Sequence, residues 1–232
     1  MIKDIRFLSF EIGTTCNLSN KHSWCPINDQ LRYPLHESKL LLNDNDIVKF
    51  AKSVISRGFN GEIAFHYYNE PCLSPDRMKN IMNQLPVAKF ILWTNGLLLR
   101  NLDQKLIKSM NRVCISIYEL DKMDYFNNFC KQFSNMTASL APHDARANVY
   151  KAPAANPGFC IRPSQTEIAI NAYGNLRMCC SDFRGQVSLG NITLEDHNFL
   201  LDAWEEMAIL IQEYGSHLCS QCRSIHSPCI MT

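Results

Sequence analysis

The densest group of potential metal ligands in this sequence lies between Cys16 and Cys25. These ten residues read Cys-Asn-Leu-Ser-Asn-Lys-His-Ser-Trp-Cys, so two cysteines, His22 and Trp24 fall on one short segment. Thiolate sulfur and imidazole nitrogen are ligands that soft metal ions and iron–sulfur clusters take in proteins. The segment follows an apolar run, residues 5–12, that is typical of a buried strand. We therefore predict a soft metal centre on the loop after this strand, where parallel α/β folds place their chemistry.

A second group of cysteines lies in the last third of the chain. The chain has 11 cysteines, and this group consists of Cys160, Cys179, Cys180, Cys219, Cys222 and Cys229. The first residues lack the features of a secretory signal, so we expect a cytoplasmic protein, in which thiols stay reduced and disulfides are rare. A C-x2-C pair with two further cysteines can surround either Zn²⁺ or a [4Fe–4S] cluster, and the spacing alone does not choose between them.

The charge pattern argues against two classes of partner. The formal net charge is +1, and no basic or acidic block interrupts the sequence. Binding to nucleic acid or to a membrane surface depends on clustered charge, so we expect neither partner. No apolar run approaches the roughly 18 residues of a membrane-spanning helix.

Apolar strands alternate with amphipathic helices through the first part of the chain. Strand-like runs occur at residues 5–12, 62–67, 88–93, 113–117 and 136–140, with helical apolar stripes between them; Asn43 can cap the first of these helices, and Gly58 closes it. This alternation predicts βαβ units around a parallel sheet, in the form of a partial (β/α)5-6 barrel. Polar residues follow the strands, where such barrels carry the rim of the active site; they are Thr14, Thr15, Asn69, Glu70, Thr94, Asn95, Tyr118 and Glu119.

A change of composition near Lys151 predicts a domain boundary. Residues 152–158 read Ala-Pro-Ala-Ala-Asn-Pro-Gly, which is typical of a linker. Residues 166–171 and 176–180 then predict a β-hairpin, and a helix is expected at residues 201–211. We predict a partial barrel at residues 1–150 and a small α+β domain at residues 151–232. Because so small a unit has little core of its own, a metal cluster would supply the missing stability.

The segment from Cys16 to Cys25 resembles the cluster-binding loop of the radical S-adenosylmethionine (SAM) superfamily. In that family, three cysteines in a C-x3-C-x-Φ-C loop hold a [4Fe–4S] cluster, and Φ is an aromatic residue beside the adenine of SAM. Cys16 matches the first ligand, Trp24 the aromatic residue and Cys25 the last ligand. The first spacing is longer than in the family, and His22 stands in place of the middle cysteine. The resemblance implies that Cys16, His22 and Cys25 hold the cluster.

Three further segments resemble the same superfamily, in the family's order along the chain. Tyr68-Asn69-Glu70-Pro71 is similar to the Gly-Gly-Glu-Pro-like motif that binds the SAM amino group, with the two glycines replaced. Thr94-Asn95-Gly96 is similar to an element beside the SAM site, and Ser116 lies where the family often places a polar group near the ribose. The resemblance therefore implies these SAM-binding residues: Trp24, Tyr68, Asn69, Glu70, Thr94, Asn95 and Ser116.

The last third resembles the SPASM and twitch domains of this superfamily. The run from Ile168 to Cys180 is similar to their hairpin, and Leu189-Gly190-Asn191-Ile192 followed by Trp204 is similar to another of their elements. Full SPASM domains carry two auxiliary clusters, whereas this shorter segment resembles a twitch domain with one. The resemblance implies an auxiliary [4Fe–4S] cluster with Cys180 and Cys229 as spare ligands, its main ligands being Cys160, Cys179, Cys219 and Cys222.

A short barrel with a twitch domain resembles the radical SAM dehydrogenases that oxidise 2-deoxy-scyllo-inosamine. The resemblance implies cleavage of SAM to a 5′-deoxyadenosyl radical, hydrogen abstraction from a small polar or peptidyl substrate, and a two-electron oxidation assisted by the auxiliary cluster. It also implies an electron donor such as a flavodoxin or ferredoxin. The sequence names no catalytic acid or base. Two alternatives stay open, namely a catalytically degenerate scaffold that keeps only the auxiliary cluster, and a zinc-binding module.

Overall fold

The computed structural model describes residues 1–22, 25–28, 40–141, 167–180, 182–187 and 189–214. Within these ranges the strands are β1 (Phe7–Phe10), β2 (Glu62–Ala64), β3 (Lys89–Thr94), β4 (Arg112–Ile117), β5 (Met136–Leu140), β6 (Glu167–Ile170) and β7 (Leu176–Arg177). The α-helices are α1 (Asp44–Ser56), α2 (Pro75–Gln84), α3 (Gln104–Ser109), α4 (Met123–Cys130) and α5 (His197–Tyr214). Short 3-10 helices occur at Ile2–Asp4, Pro26–Asn28, Pro71–Leu73, Leu99–Asn101 and Leu120–Lys122.

The described strands form one seven-stranded sheet in the order β5-β4-β3-β2-β1-β6-β7. All neighbouring strands are parallel except β6 and β7, which are antiparallel. A helix connects β2 to β3, β3 to β4 and β4 to β5, as βαβ units require. The predicted α/β class with a parallel sheet is therefore confirmed.

The two faces of the sheet carry different side chains because side chains alternate along a strand. One face packs with the helices in a large apolar core that includes Leu8, Ile63 and Leu92. The opposite face, which we call the inner face, carries a smaller cluster with Phe7 and Trp93. Helix α1 is amphipathic, and it packs on the sheet through its buried apolar residues, which include Ile47, Phe50 and Val54.

Helix α1 begins and ends where the sequence predicts. The side chain of Asn43 accepts a hydrogen bond from the backbone N–H of Asp46 at 3.0 Å, which is the geometry of an N-cap. Gly58 follows the helix with a φ of 96°. The guanidinium of Arg77 on α2 then donates to Asp44 Oδ1 at 2.7 Å and to the carbonyl of Ile12 at 2.6 Å, so that α1, α2 and the end of β1 are tied together.

The hairpin of β6 and β7 extends the sheet of the first five strands. Strand β6 pairs in parallel with β1 over the register from Phe7 with Glu167 to Phe10 with Ile170. The hydrophobic pattern predicts the hairpin itself but not its place beside β1, because pairing partners distant in sequence leave no periodic signal. The linker at residues 152–158 lies outside the described residues, so the two-domain division stays a prediction. Helix α5 is longer than the predicted range of 201–211.

The described helices include none that combines the length and the apolar character needed to cross a membrane. Of the cysteines outside the two predicted metal-binding groups, Cys72 is buried, whereas Cys114 and Cys130 are only partly buried.

Replacing Gly61 with alanine should destabilise the fold, because Gly61 packs directly on the backbone before β1. A Cβ atom at this position would lie 2.3 Å from the carbonyl oxygen of Arg6, which itself accepts the hydrogen bond of Glu62 N–H. Overpacking of this kind costs about 1–3 kcal/mol. We expect Gly61→Ala to lower the free energy of unfolding by that amount in urea titrations.

The matched control is Gly13→Ala, in which the nearest atom to the new Cβ would be Ser74 Oγ at 3.7 Å, an ordinary contact. We expect this variant to unfold at the wild-type urea midpoint or slightly above it, because alanine restricts the unfolded chain. Equal unfolding midpoints for the two variants would contradict the close approach at Gly61.

Candidate functional site

The buried carboxylate of Glu70 connects three strand ends at the carboxyl edge of the sheet. Glu70 is 3% exposed, and its oxygens accept from Thr94 Oγ1 at 2.6 Å, from Asn95 N–H at 2.9 Å and from Cys72 N–H at 3.0 Å. Its own N–H donates to the carbonyl of Thr15 at 2.9 Å. The structure thus brings Glu70, Thr94 and Asn95 together as predicted. It also shows that donors within the chain already engage both oxygens of the carboxylate.

Local sequence explains why Glu70 takes this position. Glu70 is the N-cap of the 3-10 helix Pro71–Leu73, and Pro71 occupies the first helical position, where its missing N–H costs nothing. After Thr94, the chain turns at Gly96 with a φ of 79°, a conformation that favours glycine. A Cβ at Gly96 would also lie 2.6 Å from the ring of Phe126, so no larger residue fits there.

The sulfur of Cys16 lies among N–H donors. The backbone N–H of Leu18 is 3.4 Å from Cys16 Sγ, and the side-chain amide of Asn95 is 3.9 Å from it. The same Asn95 amide donates to Asn17 Oδ1 at 2.7 Å. Burial raises the pKa of the Cys16 thiol and the Glu70 carboxylate adds to the rise, whereas the donors from Leu18 and Asn95 oppose it. Hydrogen bonds to sulfur tune the reduction potentials of iron–sulfur clusters, so these donors are compatible with Cys16 as one ligand of such a cluster.

The rest of the cysteine loop is fastened to the end of β4. The ring of His22 lies 4.4 Å from the ring of Tyr118, centroid to centroid, and Lys21 Nζ lies 3.3 Å from Glu119 Oε1. The side-chain amide of Asn28 donates to the carbonyl of His22 at 2.8 Å and closes the loop on itself. The aromatic contact of His22 was not expected from the sequence.

Cys25 packs against a second apolar cluster that consists of Tyr67, Tyr68, Ala169, Cys180 and Phe183. Among the residues that the structure describes, no three side chains of Cys, His, Asp or Glu form a group that could hold a metal ion. Cys16, His22 and Cys25 are therefore not gathered into a ligand set here, and their role as ligands stays a prediction. Trp24 lies outside the described residues.

Cys179 and Cys180 are both buried, in the turn after β7. The other predicted ligands of the auxiliary cluster, Cys160, Cys219 and Cys222, lie outside the described residues, as does Cys229. Two charged residues, Arg177 and Asp182, are buried beside this turn. Burial raises the pKa of the Asp182 carboxyl to about 6, although the charge of Arg177 and backbone N–H donors, including that of Gln186, lower it.

Glu11 is a buried acidic residue that the sequence analysis did not select. It is 0% exposed, and its carboxylate accepts from Tyr68 N–H at 3.3 Å and from Ala172 N–H at 3.0 Å. It thereby ties the chain after β2 to the hairpin of β6 and β7. The sequence does contain an indication of a buried acid here, because Glu11 is the one acidic residue in the apolar run from Ile5 to Ile12.

Asn69 carries a buried side-chain amide with no hydrogen-bond partner among the described residues. The residue is 8% exposed, and neither its oxygen nor its nitrogen is bonded. Leaving such a group unsatisfied costs about 1–3 kcal/mol, so it is a natural contact for a polar ligand. Ser116, the other predicted polar contact, is half-buried on β4, where it pairs with Ser139 of β5.

The fold and the polar rim at its carboxyl edge define an α/β protein of the partial-barrel class, and solved structures share this fold. BtrN in complex with AdoMet and 2-DOIA superposes with a TM-score of 0.73 and 18% sequence identity, over 96% of this chain and 94% of that chain. Selenomethionine BtrN in an open conformation gives a TM-score of 0.63 and 19% identity over the same shares. No protein-family model and no curated protein matches the sequence. These similarities confirm the predicted partial barrel as a fold.

Replacing Glu70 with glutamine should loosen the carboxyl edge of the sheet. Glutamine supplies one acceptor oxygen, so its NH2 group would face a donor where Glu70 now accepts from Asn95 N–H. A buried donor left without an acceptor costs about 1–3 kcal/mol. We expect Glu70→Gln to lower the free energy of unfolding by about this amount, measured by urea titration.

Glu119→Gln is the control, because Glu119 forms its ion pairs with Lys21 and Lys122 at the surface. Exposed pairs contribute about 0–1 kcal/mol, so this variant should unfold close to the wild type. If both variants lost the same free energy, the buried network around Glu70 would not be the stabilising feature.

Proposed function

We propose that this chain is a radical SAM enzyme that abstracts hydrogen from a small polar or peptidyl substrate in a two-electron oxidation. The shared fold with BtrN, whose crystals contain AdoMet and 2-DOIA, is the observation that supports the proposal most directly. The sequence resemblance supports it independently, because its SAM-binding segments lie on the strand ends that form one edge of this sheet. A substrate with hydroxyl groups, comparable to 2-DOIA, is the first class to test.

Cys16, His22 and Cys25 are the residues that would hold the first [4Fe–4S] cluster. The N–H donors of Leu18 and Asn95 around Cys16 Sγ support this assignment, because they stabilise a thiolate. When bound, the cluster would supply the electron for the reductive cleavage of SAM. The chain's own part is to hold the loop in place, through the bonds that join it to Asn95 and to the end of β4.

The SAM-binding residues fall into two roles. Asn69 offers a buried amide that nothing in the described chain engages, so we assign it a direct contact with the amino-acid part of SAM. Glu70 is engaged by Thr94, Cys72 and Asn95, so we assign it the positioning of the loop that carries Thr94 and Asn95. Trp24, Tyr68 and Ser116 keep the contacts with SAM that the resemblance implies.

The auxiliary cluster completes the proposal. Cys160, Cys179, Cys219 and Cys222 would hold it, and it would accept an electron from the substrate radical or position the substrate. A reduced flavodoxin or ferredoxin would supply electrons to the first site, and the protein would act in the cytoplasm.

A second candidate function is a scaffold that keeps only the auxiliary cluster. It is favoured by His22, which stands in place of the middle cysteine of the family, and by the described residues, in which Cys16, His22 and Cys25 do not form a group of metal ligands. The two functions differ in the number of clusters and in SAM cleavage.

Iron and sulfide analysis after anaerobic reconstitution separates these functions. We expect about eight irons per chain, corresponding to two [4Fe–4S] clusters, and about four in Cys16→Ala and in Cys25→Ala. With dithionite, the wild type should cleave SAM to 5′-deoxyadenosine and methionine, and both variants should not. About four irons in the wild type, with no SAM cleavage, would refute the radical SAM function and support the scaffold function. Stoichiometric Zn²⁺ in a colourless protein would indicate the zinc-binding module.

Replacing Asn69 with leucine should separate folding from SAM binding. The apolar side chain removes an unsatisfied buried amide, so the free energy of unfolding should stay equal or rise by up to about 1–3 kcal/mol. At the same time, the affinity for SAM should fall at least about tenfold, because a hydrogen-bonding group is lost at the ligand. Urea titration and equilibrium dialysis of SAM with the reconstituted protein measure the two effects.

Asn171→Leu is the matched control. The Asn171 side-chain oxygen accepts from Tyr173 N–H at 3.0 Å and from Asn175 N–H at 2.9 Å, so this variant should lose stability. Stability lost on Asn69→Leu, or an unchanged affinity for SAM, would contradict the assignment of Asn69 as a ligand contact.

A further inference from the structure

The side chain of Tyr68 reaches from the first predicted site to the second. Tyr68 belongs to the segment that resembles a SAM-binding motif, yet its hydroxyl donates a hydrogen bond to the carbonyl of Cys180, 112 residues further along the chain. Cys180 belongs to the adjacent cysteine pair of the predicted auxiliary centre. Tyr68 thus connects the segment that resembles a SAM-binding motif with the second group of cysteines.

Both ends of Tyr68 are fixed. Its backbone N–H donates to Glu11 Oε1 at 3.3 Å, and the other oxygen of Glu11 accepts from Ala172 N–H at 3.0 Å. The side chain is 5% exposed, and its ring packs on the ring of Phe183 at 5.8 Å between centroids. Because the ring is held at its backbone and on one face, the hydrogen bond from its hydroxyl restrains the position of the Cys180 carbonyl.

The apolar cluster around Tyr68 includes a residue from the first cysteine loop. Cys25 and Ile27 pack against the cluster that contains Tyr68 and Cys180. The last cysteine of the first loop and the turn after β7 therefore share a single packing unit. A shift of the turn would change the contacts of both.

We propose that Tyr68 is a positioning residue that holds the Cys179–Cys180 turn in register with the first cysteine loop. The proposal rests on the proposed function, because it assigns this turn to a metal centre. Residues that orient metal ligands from outside the ligand set typically contribute 10–100-fold to metal affinity. The Tyr68 hydroxyl would act in this way on the auxiliary centre, through the backbone of Cys180.

The neighbouring residue provides a matched control. Tyr67 lies in the same cluster, and its hydroxyl is 3.5 Å from the carbonyl of Cys179, a long and weak contact. Tyr67→Phe and Tyr68→Phe are the same chemical change in the same environment. A difference between them therefore reports the bond to Cys180 and not the general loss of a buried hydroxyl.

The first experiment measures the auxiliary iron in the reconstituted full chain. A Cys16→Ala/Cys25→Ala background leaves the auxiliary centre as the source of iron. We expect Tyr68→Phe to release iron to a chelator about tenfold faster than the background chain, in line with the lower end of the range for such residues. We also expect an altered EPR spectrum of the reduced cluster, and Tyr67→Phe should change neither. Unchanged release and an unchanged spectrum in Tyr68→Phe, even with a lower melting temperature, would reduce Tyr68 to a purely structural residue and overturn the proposal.

The second experiment uses the metal-free chain, so that it does not depend on the proposed function. Cys179, Cys180 and Cys72 are all buried, and their rates of alkylation by iodoacetamide are read by peptide mass spectrometry. We expect Tyr68→Phe to raise the rates of Cys179 and Cys180 about tenfold, as a lost bond equivalent to about 1.4 kcal/mol would do, with Cys72 unchanged. Equal rates in both variants, or a parallel increase at Cys72, would contradict local positioning. A wild-type chain that takes up no iron would refute the proposed function, whereas this alkylation result would still decide the role of Tyr68.

Discussion

The buried carboxylate of Glu70 connects the strand ends at the carboxyl edge of this sheet. Glu70 joins Thr94, Asn95 and Cys72 through its oxygens, and its backbone N–H joins Thr15. The strand ends involved are separated by long stretches of chain, so no local preference could hold them together. Because a buried acceptor without donors is costly, these donors are needed to keep the Glu70 carboxylate in its buried position. The position of the first cysteine loop depends on it through Asn95, which contacts both Asn17 and Cys16.

A second buried carboxylate extends this arrangement to the hairpin. Glu11 binds the backbone of Tyr68 and Ala172, and Tyr68 in turn binds Cys180. The two acids lie on neighbouring strand ends, so their hydrogen bonds connect the ends of β1, β2, β3 and β6 in one polar layer. In the proposed enzyme, this layer would hold the first cysteine loop and the turn after β7 in a constant relative position. Through these hydrogen bonds, segments that are far apart in the sequence, such as those of Tyr68 and Cys180, are in direct contact.

The sequence predicted the elements more successfully than their contacts. The five strands of the partial barrel and helix α1 with its Asn43 cap appear where the apolar periodicity places them, since burial on one side requires that pattern. The strand predicted at residues 62–67 ends at Ala64, because the following residues leave the ladder to place Tyr67 and Tyr68 on the hairpin. Of the predicted site residues, Glu70, Thr94 and Asn95 do meet. Glu11 was missed although it is the one acidic residue in its apolar run, because its partners are backbone N–H groups of distant segments, at Tyr68 and Ala172.

Residue types and their order thus determined the α/β class and the strand ends that carry polar groups, and they predict which cysteines bind a metal. These follow from the sequence because burial, capping and ligand chemistry are local properties of the side chains. Tertiary structure alone decided that Glu70 turns inward to its neighbours, that His22 lies on Tyr118 and that β6 pairs with β1. Each of these depends on which distant segments become neighbours, and that choice is made by packing of the whole sheet rather than by any segment of the sequence.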